Sequence, residues 1–266
     1  MAADWQMITL TSDFGIKDPY VAEMKGVILT INPNATLIDV THEIEKFNTR
    51  SAAFKLASAA SYFPEGTVHL AVVDPGVGTQ RRAIVIQTKK GFFVGPDNGV
   101  LVLAAKNQGI EHIHLLANPK FMLAEVSGTF HGRDVFAPAA AYLDKGGVQI
   151  AEFGPEIKDP VTPKYVQVNS SSNSLSGEVL DVDGFGNIIT NIAVKEVTFK
   201  EGEKIRVGLA DDTLKIQFGK AYAQAKPKEP ILLVGSHGFL EIALNQESAA
   251  RKFHIKTGDR VDVNWA

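Results

Sequence analysis

The stretch TVHLAVVDPGVGTQRRAIVIQTKKGFFV, residues 67–94, decides how this chain folds. Thr67–Val73 reads as a buried strand, apolar at its Ala71–Val73 end, and Asp74-Pro75-Gly76 breaks it. Pro presets φ and Gly accepts left-handed backbone, so the break is a turn. Ala83–Gln87 and Phe92–Val94, joined at Lys89-Lys90-Gly91, predict a hairpin. An acid therefore stands at a strand's carboxyl end, with Arg81 and Arg82 a short loop away. A positive neighbour of this kind holds a carboxylate ionised.

Upstream, strand and helix patterns alternate. Met7–Thr11 is a short apolar strand ending at Ser12-Asp13. Asp18-Pro19 predicts a cap followed by proline at the first helical position, and Tyr20, Met24, Val27, Ile28 and Ile31 follow at helical spacing until Asn32-Pro33. Thr36–Val40 is a second strand. Asn48 caps a second helix with Ala52, Leu56, Ala59, Ala60 and Phe63 inward. Downstream come a turn at Asp97-Asn98-Gly99, a helix at Val100–Lys106, a strand at His112–Leu116 and a helical region at Phe130–Leu143 capped by Asp134. This alternation predicts a mostly parallel sheet covered by helices. Open parallel sheets bind ligands outside the carboxyl ends of their strands, which here carry Asp13, His42-Glu43 and Asp74.

The texture changes after Pro163. Asn169–Ser174 is polar and turn-forming, as expected of a domain junction. Beyond it the patterns are strands: Gly177–Asp181, Asn187–Ile192, Lys204–Val207, Thr213–Phe218, Ile231–Val234 and Arg260–Val263, with one helix candidate near Asn245–Lys252. The expectation is an α/β chain: an N-terminal, mostly parallel α/β domain over residues 1–165, then a smaller C-terminal β-barrel domain over 175–266.

Composition narrows the function. The 266 residues are 45% hydrophobic and 21% charged, with a net charge of −3 and no basic stripe, which speaks against nucleic acid or an anionic membrane surface as partner. No apolar run approaches a membrane span, and the start lacks the basic and apolar regions of a signal peptide, so the cytoplasm is the expected location. With no cysteine, disulfides, thiolate catalysis and cysteine-ligated metals are excluded.

Other constellations carry less. Asp74–Gly78 is no phosphate loop, because the Lys-Ser/Thr ending is missing. Asp181–Asn187 has Phe185 where a calcium loop needs an oxygen ligand. Gly235-Ser236-His237-Gly238 lacks the first glycine of a nucleophile elbow. His112 and His114 lie on one face of a strand, but no third ligand follows at a metal-site spacing, and no metal is expected.

Taken in order, seven stretches resemble one family: TSDFG (11–15), DVTHEI (39–44), FPEGTVHLAVVDPGVGTQRR (63–82), FVGPDNG (93–99), TFHGRD (129–134), DGFGNIITNI (183–192) and VGSHGFLEIALN (234–245). The family is the S-adenosylmethionine hydroxide adenosyltransferases, relatives of the fluorinases and chlorinases. The resemblance implies an α/β domain joined to a β-barrel, and conversion of S-adenosylmethionine and water into adenosine and L-methionine without a cofactor. It also implies a homotrimer with sites between subunits.

The family's trio maps onto Asp74, Arg81 and His131, which would position and activate a water; which of them is the base stays open. Arg82 competes with Arg81, since a shift of one residue exchanges them. By the same resemblance Asp13 takes the ribose hydroxyls, Phe47 and Phe185 pack on the nucleoside, and Asn187 reads the adenine edge. Asp183 would take the methionine ammonium and Ser236 its carboxylate, although His237 stands where the halogenases have arginine. Asp74 repels a small anion unless Arg81 neutralises it, which favours water over halide. The alternatives are a chloride adenosyltransferase and a non-catalytic nucleoside or S-adenosylmethionine binder.

Overall fold

The computed structural model describes residues 7–209 and 212–265. The chain divides between Pro163 and Lys164 into two compact units.

The first unit contains strands β1 (Met7–Ser12), β2 (Thr36–Thr41), β3 (Val68–Val72), β4 (Ala83–Thr88), β5 (Phe92–Pro96) and β6 (Ile110–Leu115). Its helices are α1 (Tyr20–Ile31), α2 (Thr49–Ala60), α3 (Val102–Gln108) and α4 (Ala137–Lys145). The sheet order is β2-β1-β3-β5-β4-β6. β2, β1, β3 and β5 are mutually parallel, and β4 alone runs against its neighbours, as the hairpin at Lys89–Gly91 requires. The expected mostly parallel sheet is therefore present.

The period of two along a strand distributes β3 over two cores. Val68, Leu70 and Val72 pack with Met24, Ile28, Phe136 and Ala140 on the α1/α4 side. Ala71 and Val73 pack with Ala52, Leu56, Leu101 and Ala104 on the α2/α3 side. A strand covered on both faces is buried throughout, as Val68–Val73 is, with His69 the one polar member and bonded to Thr9 Oγ1 at 2.8 Å.

Asn48 caps α2 as expected, its Oδ1 accepting from the Ser51 amide at 3.0 Å. Two expected caps are absent. Pro19 occupies the cap position of α1 and no side chain caps that helix, so Asp18 has no such role. Asp134 lies inside a π turn, Gly132–Phe136, ahead of α4. It is fully buried, accepting from the Ser127 amide at 2.8 Å and from Arg133 Nε at 2.6 Å. These partners hold a loop rather than a helix end.

The second unit contains β7 (Asn169–Ser171), β8 (Ser174–Val182), β9 (Ile188–Ala193), β10 (Lys204–Leu209), β11 (Asp212–Gly219), β12 (Pro230–Val234), β13 (Phe239–Leu244), α5 (Ala249–Lys252) and β14 (Arg260–Asn264). The order is β14-β10-β11-β12-β13-β9-β8-β7, and a β14–β8 pairing closes seven of these strands into the expected barrel. Val179, Ile188, Val207, Leu232, Ile242 and Val261 fill it. Two local readings change. Asn169–Ser174 is not a linker: it makes β7 and the turn into β8, with Asn169 opposite Ser176. Phe239–Leu244 is a strand the sequence reading passed over, paired along its length with β12. Among the described residues no helix is long and apolar enough to cross a membrane.

Candidate active site

Asp74 leaves the end of β3, and the loop to β4 returns Arg81 onto it. Arg81 Nε lies 2.9 and 3.0 Å from the two Asp74 carboxylate oxygens, and Nη2 donates to Oδ2 at 2.5 Å. The side chains are 6% and 11% exposed, so the pair is a largely desolvated fork-to-fork bridge rather than a surface contact. The same Nη2 donates to His131 Nδ1 at 2.9 Å, and the guanidinium lies 5.0 Å over the Phe136 ring. Arg82 points elsewhere, to Asp97 at 2.7 Å and Asp159 at 3.0 Å. Arg81, not Arg82, therefore faces Asp74 and His131.

The contact fixes the histidine's protonation. A guanidinium has no acceptor, so Nδ1 must carry a lone pair and the neutral ring holds its proton on Nε2. Burial and then the Arg81 charge lower the His131 pKa, against the opposing pull of Asp74, Asp134 and a hydrogen bond to the Ser127 backbone. His131 is thus a neutral donor through Nε2–H. Gly78 makes the assembly possible. Its φ is +74°, and a Cβ there would lie 2.3 Å from the Gly128 carbonyl, beside the Thr129–His131 segment.

Asp13, Phe47, Asp74, Phe130 and His131 line one cleft. Asp13 is 5% exposed, and its Oδ2 accepts from the Phe47 amide at 2.9 Å. Phe47 itself has φ of +66° and is 68% exposed. The Asp13 turn is braced from behind. Gly15 donates to the His42 carbonyl at 2.7 Å, Ser12 Oγ lies 2.7 Å from His42 Nδ1, and His42 Nε2 lies 3.0 Å from Asp39.

The remaining expected residues belong to the second unit. Asp183 Oδ1 accepts from the amides of Phe185 and Asn187, both at 2.9 Å, and Oδ2 accepts from Asn187 Nδ2 at 2.9 Å. This closed loop presents Phe185, 83% exposed, at its tip. Gly186 is obligatory there, because its φ is +85° and a Cβ would lie 2.0 Å from Ser248 Oγ. Ser236 is exposed in the turn between β12 and β13.

The sequence matches the SAM hydroxide adenosyltransferase N-terminal domain over residues 8–154 and the C-terminal domain of that family over residues 177–262. The chain belongs to this family. It is 38% identical, over 97% of its length and 95% of the relative's, to an (R)-S-adenosyl-L-methionine hydrolase of Methanocaldococcus jannaschii. A hydrolase of that name from Thermus thermophilus is 39% identical over 93% of this chain and 95% of its own. A fluorinase of an Actinoplanes species is 27% identical over 98% of both chains. The crystal structure of an uncharacterised conserved protein from Thermotoga maritima, 39% identical, superposes with a TM-score of 0.89 over 97% of this chain and all of that one.

Several residues of this SAM hydroxide adenosyltransferase were given no role by the sequence reading. His42, marked by its place at a strand end and within DVTHEI, has a specific task only in the fold, where it braces Ser12 and the Asp13 turn. Lys46 lines the cleft and donates to the Asp13 carbonyl. Glu241 is the lone acid in the apolar run FLEIAL. It is 6% exposed, accepts from Tyr222 Oη at 2.8 Å, and burial raises its pKa despite that bond, with the Asp183 charge adding to the rise.

Proposed function

We propose that this chain hydrolyses S-adenosylmethionine to adenosine and L-methionine, and that Asp74, Arg81 and His131 handle the water. The observation that carries the assignment of roles is the Asp74–Arg81–His131 contact, two side chains saturating a third at one end of the sheet. The water oxygen attacks ribose C5′, the C5′–S bond breaks, and its electron pair leaves with sulfur as a neutral thioether. One proton is released. A sulfonium is already a good leaving group, so neither metal nor covalent nucleophile is required.

What the attack needs is a water held in line. Asp74 accepts one of its hydrogens, and Nε2–H of His131 turns from the Ser127 backbone to donate to its oxygen. The oxygen becomes strongly acidic once bonded to C5′, so a weak base such as a carboxylate suffices to take the proton. Arg81 stabilises the negative charge on Asp74 and whatever hydroxide character develops. Asp74 is paired with Arg81, so the preference for water over halide is supported by the higher identity to the hydrolases than to the fluorinase.

Asp13 takes the ribose hydroxyls, Phe47 and Phe185 cover the nucleoside, Asn187 reads adenine, and Asp183 and Ser236 take the amino acid. These roles rest on the family resemblance. The exposed Phe47 and Phe185 support a homotrimer in which one chain's first unit and its neighbour's second unit complete each site. The cytoplasm is the setting proposed for it, in keeping with a chain that has no cysteine to pair. Purified protein incubated with S-adenosylmethionine should release adenosine and methionine in equal amounts, at a rate indifferent to chloride. Chloride-dependent turnover to a halogenated nucleoside, or binding without turnover, would replace this reading.

A further inference from the structure

His112 and His114 lack a third ligand in the local sequence, but the fold supplies one. β6 is an edge strand of the sheet, and the segment at residues 154–157 returns along its open side. Leu115 donates to the Pro155 carbonyl at 2.9 Å and Ile157 to the Ile113 carbonyl at 2.8 Å, which sets Glu156 directly opposite His114. Glu156 Oε1 lies 3.0 Å from His112 Nδ1. His114 Nδ1 lies 2.8 Å from the Gly154 carbonyl, which can only accept, so the ring donates there and leaves the Nε2 lone pair free. One donor atom from each of His112, His114 and Glu156 lies within 4.8 Å of the others.

We propose that His112, His114 and Glu156 bind a zinc-type divalent transition metal. Two ligands on a tetrahedral zinc stand about 3.3 Å apart, given bonds near 2.0–2.1 Å. The 3.0 Å His112–Glu156 edge already matches that spacing, and a small closure brings in His114. Two imidazoles and one carboxylate suit zinc and its neighbours rather than magnesium or calcium. A water completes the fourth position. The metal replaces the His112–Glu156 hydrogen bond and ties the sheet edge to the returning segment.

The site is remote from the water-handling trio. His112 pairs with Gln87 on β4, six residues along the strand from Arg81, roughly 20 Å at the usual rise per residue. Metal there stabilises the first unit without entering the reaction.

The test uses tag-free full-length protein and zinc chloride, with stoichiometry read by dialysis and elemental analysis, affinity by calorimetry and stability by melting. One zinc per chain and a raised Tm are expected. His112→Ala and Glu156→Gln alter exposed side chains and should still fold. Each should weaken zinc by about tenfold or more and abolish the Tm rise, while adenosine formation stays unchanged. No retention at micromolar free zinc would overturn the proposal, as would equal retention by both variants and the unsubstituted chain.

Discussion

The Asp74 and Arg81 side chains are 6% and 11% exposed, whereas Phe185, on the Asp183–Asn187 loop, is 83% exposed. The first unit holds Asp74, Arg81 and His131 bonded to one another before any substrate arrives. The second unit holds its backbone just as firmly, through Asp183, yet leaves an aromatic ring uncovered. On the proposed roles, the difference teaches how labour is divided. Groups that act on water must be preorganised, because their value lies in not having to rearrange during the reaction. A ring that covers a nucleoside gains its contact energy only when the nucleoside, or a neighbouring chain, removes it from solvent.

The comparison breaks most visibly at Arg81. Arg81→Ala should lower kcat by about 10²–10⁴-fold with little change in KM, as should Asp74→Ala and His131→Ala. Arg82→Ala, which loses Asp97 and Asp159 instead, should leave kcat within a few-fold. The reverse ranking in steady-state kinetics would show that the loop in solution is shifted by one residue.

Acid should sharpen the same point. Burial and Arg81 lower the His131 pKa, so the neutral ring that accepts from Arg81 prevails above that value. As pH falls through it, a second cation forms beside the guanidinium, and kcat should drop about tenfold per pH unit, with its inflection below the ordinary histidine value of about 6.5. A kcat profile that inflects above that value would count against a neutral His131.

On the second unit the expected effect is smaller and of another kind. Phe185→Ala should raise KM by roughly tenfold, the scale of one aromatic–base stack, while Tm changes little because the ring is 83% exposed in the chain. A lowered Tm without a KM change would make Phe185 structural. Mixing sharpens this further. If one chain's first unit serves its neighbour's second, reassociated Asp74→Ala and Asn187→Ala chains should regain about a quarter of full activity, since each site draws each half independently in a closed ring. Verified mixed trimers with no recovery would place each whole site within one chain.

The legible parts of the molecule are those with local causes. The Thr67–Val73 run, the Asn48 cap and the turn at Asp74 announce themselves within a few residues. So does the barrel, as short strands between turns. β13 escaped because Glu241 interrupts its apolar pattern, and that acid is tolerated only because Tyr222, distant in sequence, hydrogen-bonds it. β7 escaped because a serine-rich segment is polar whether it links domains or flanks a barrel. The pairing of Arg81 rather than Arg82 depends on where Asp97 and Asp159 lie, which no local pattern records. Glu156 is 44 residues from His112, and only the return of the chain along β6 joins them.

The central claim is that a water, held by Asp74 and His131, attacks C5′ directly. Turnover in oxygen-18 water followed by mass spectrometry of the nucleoside tests it. The account predicts one labelled oxygen per adenosine, located on the 5′ carbon, with unlabelled methionine. Adenosine without label, or release of adenine in place of adenosine, would contradict it.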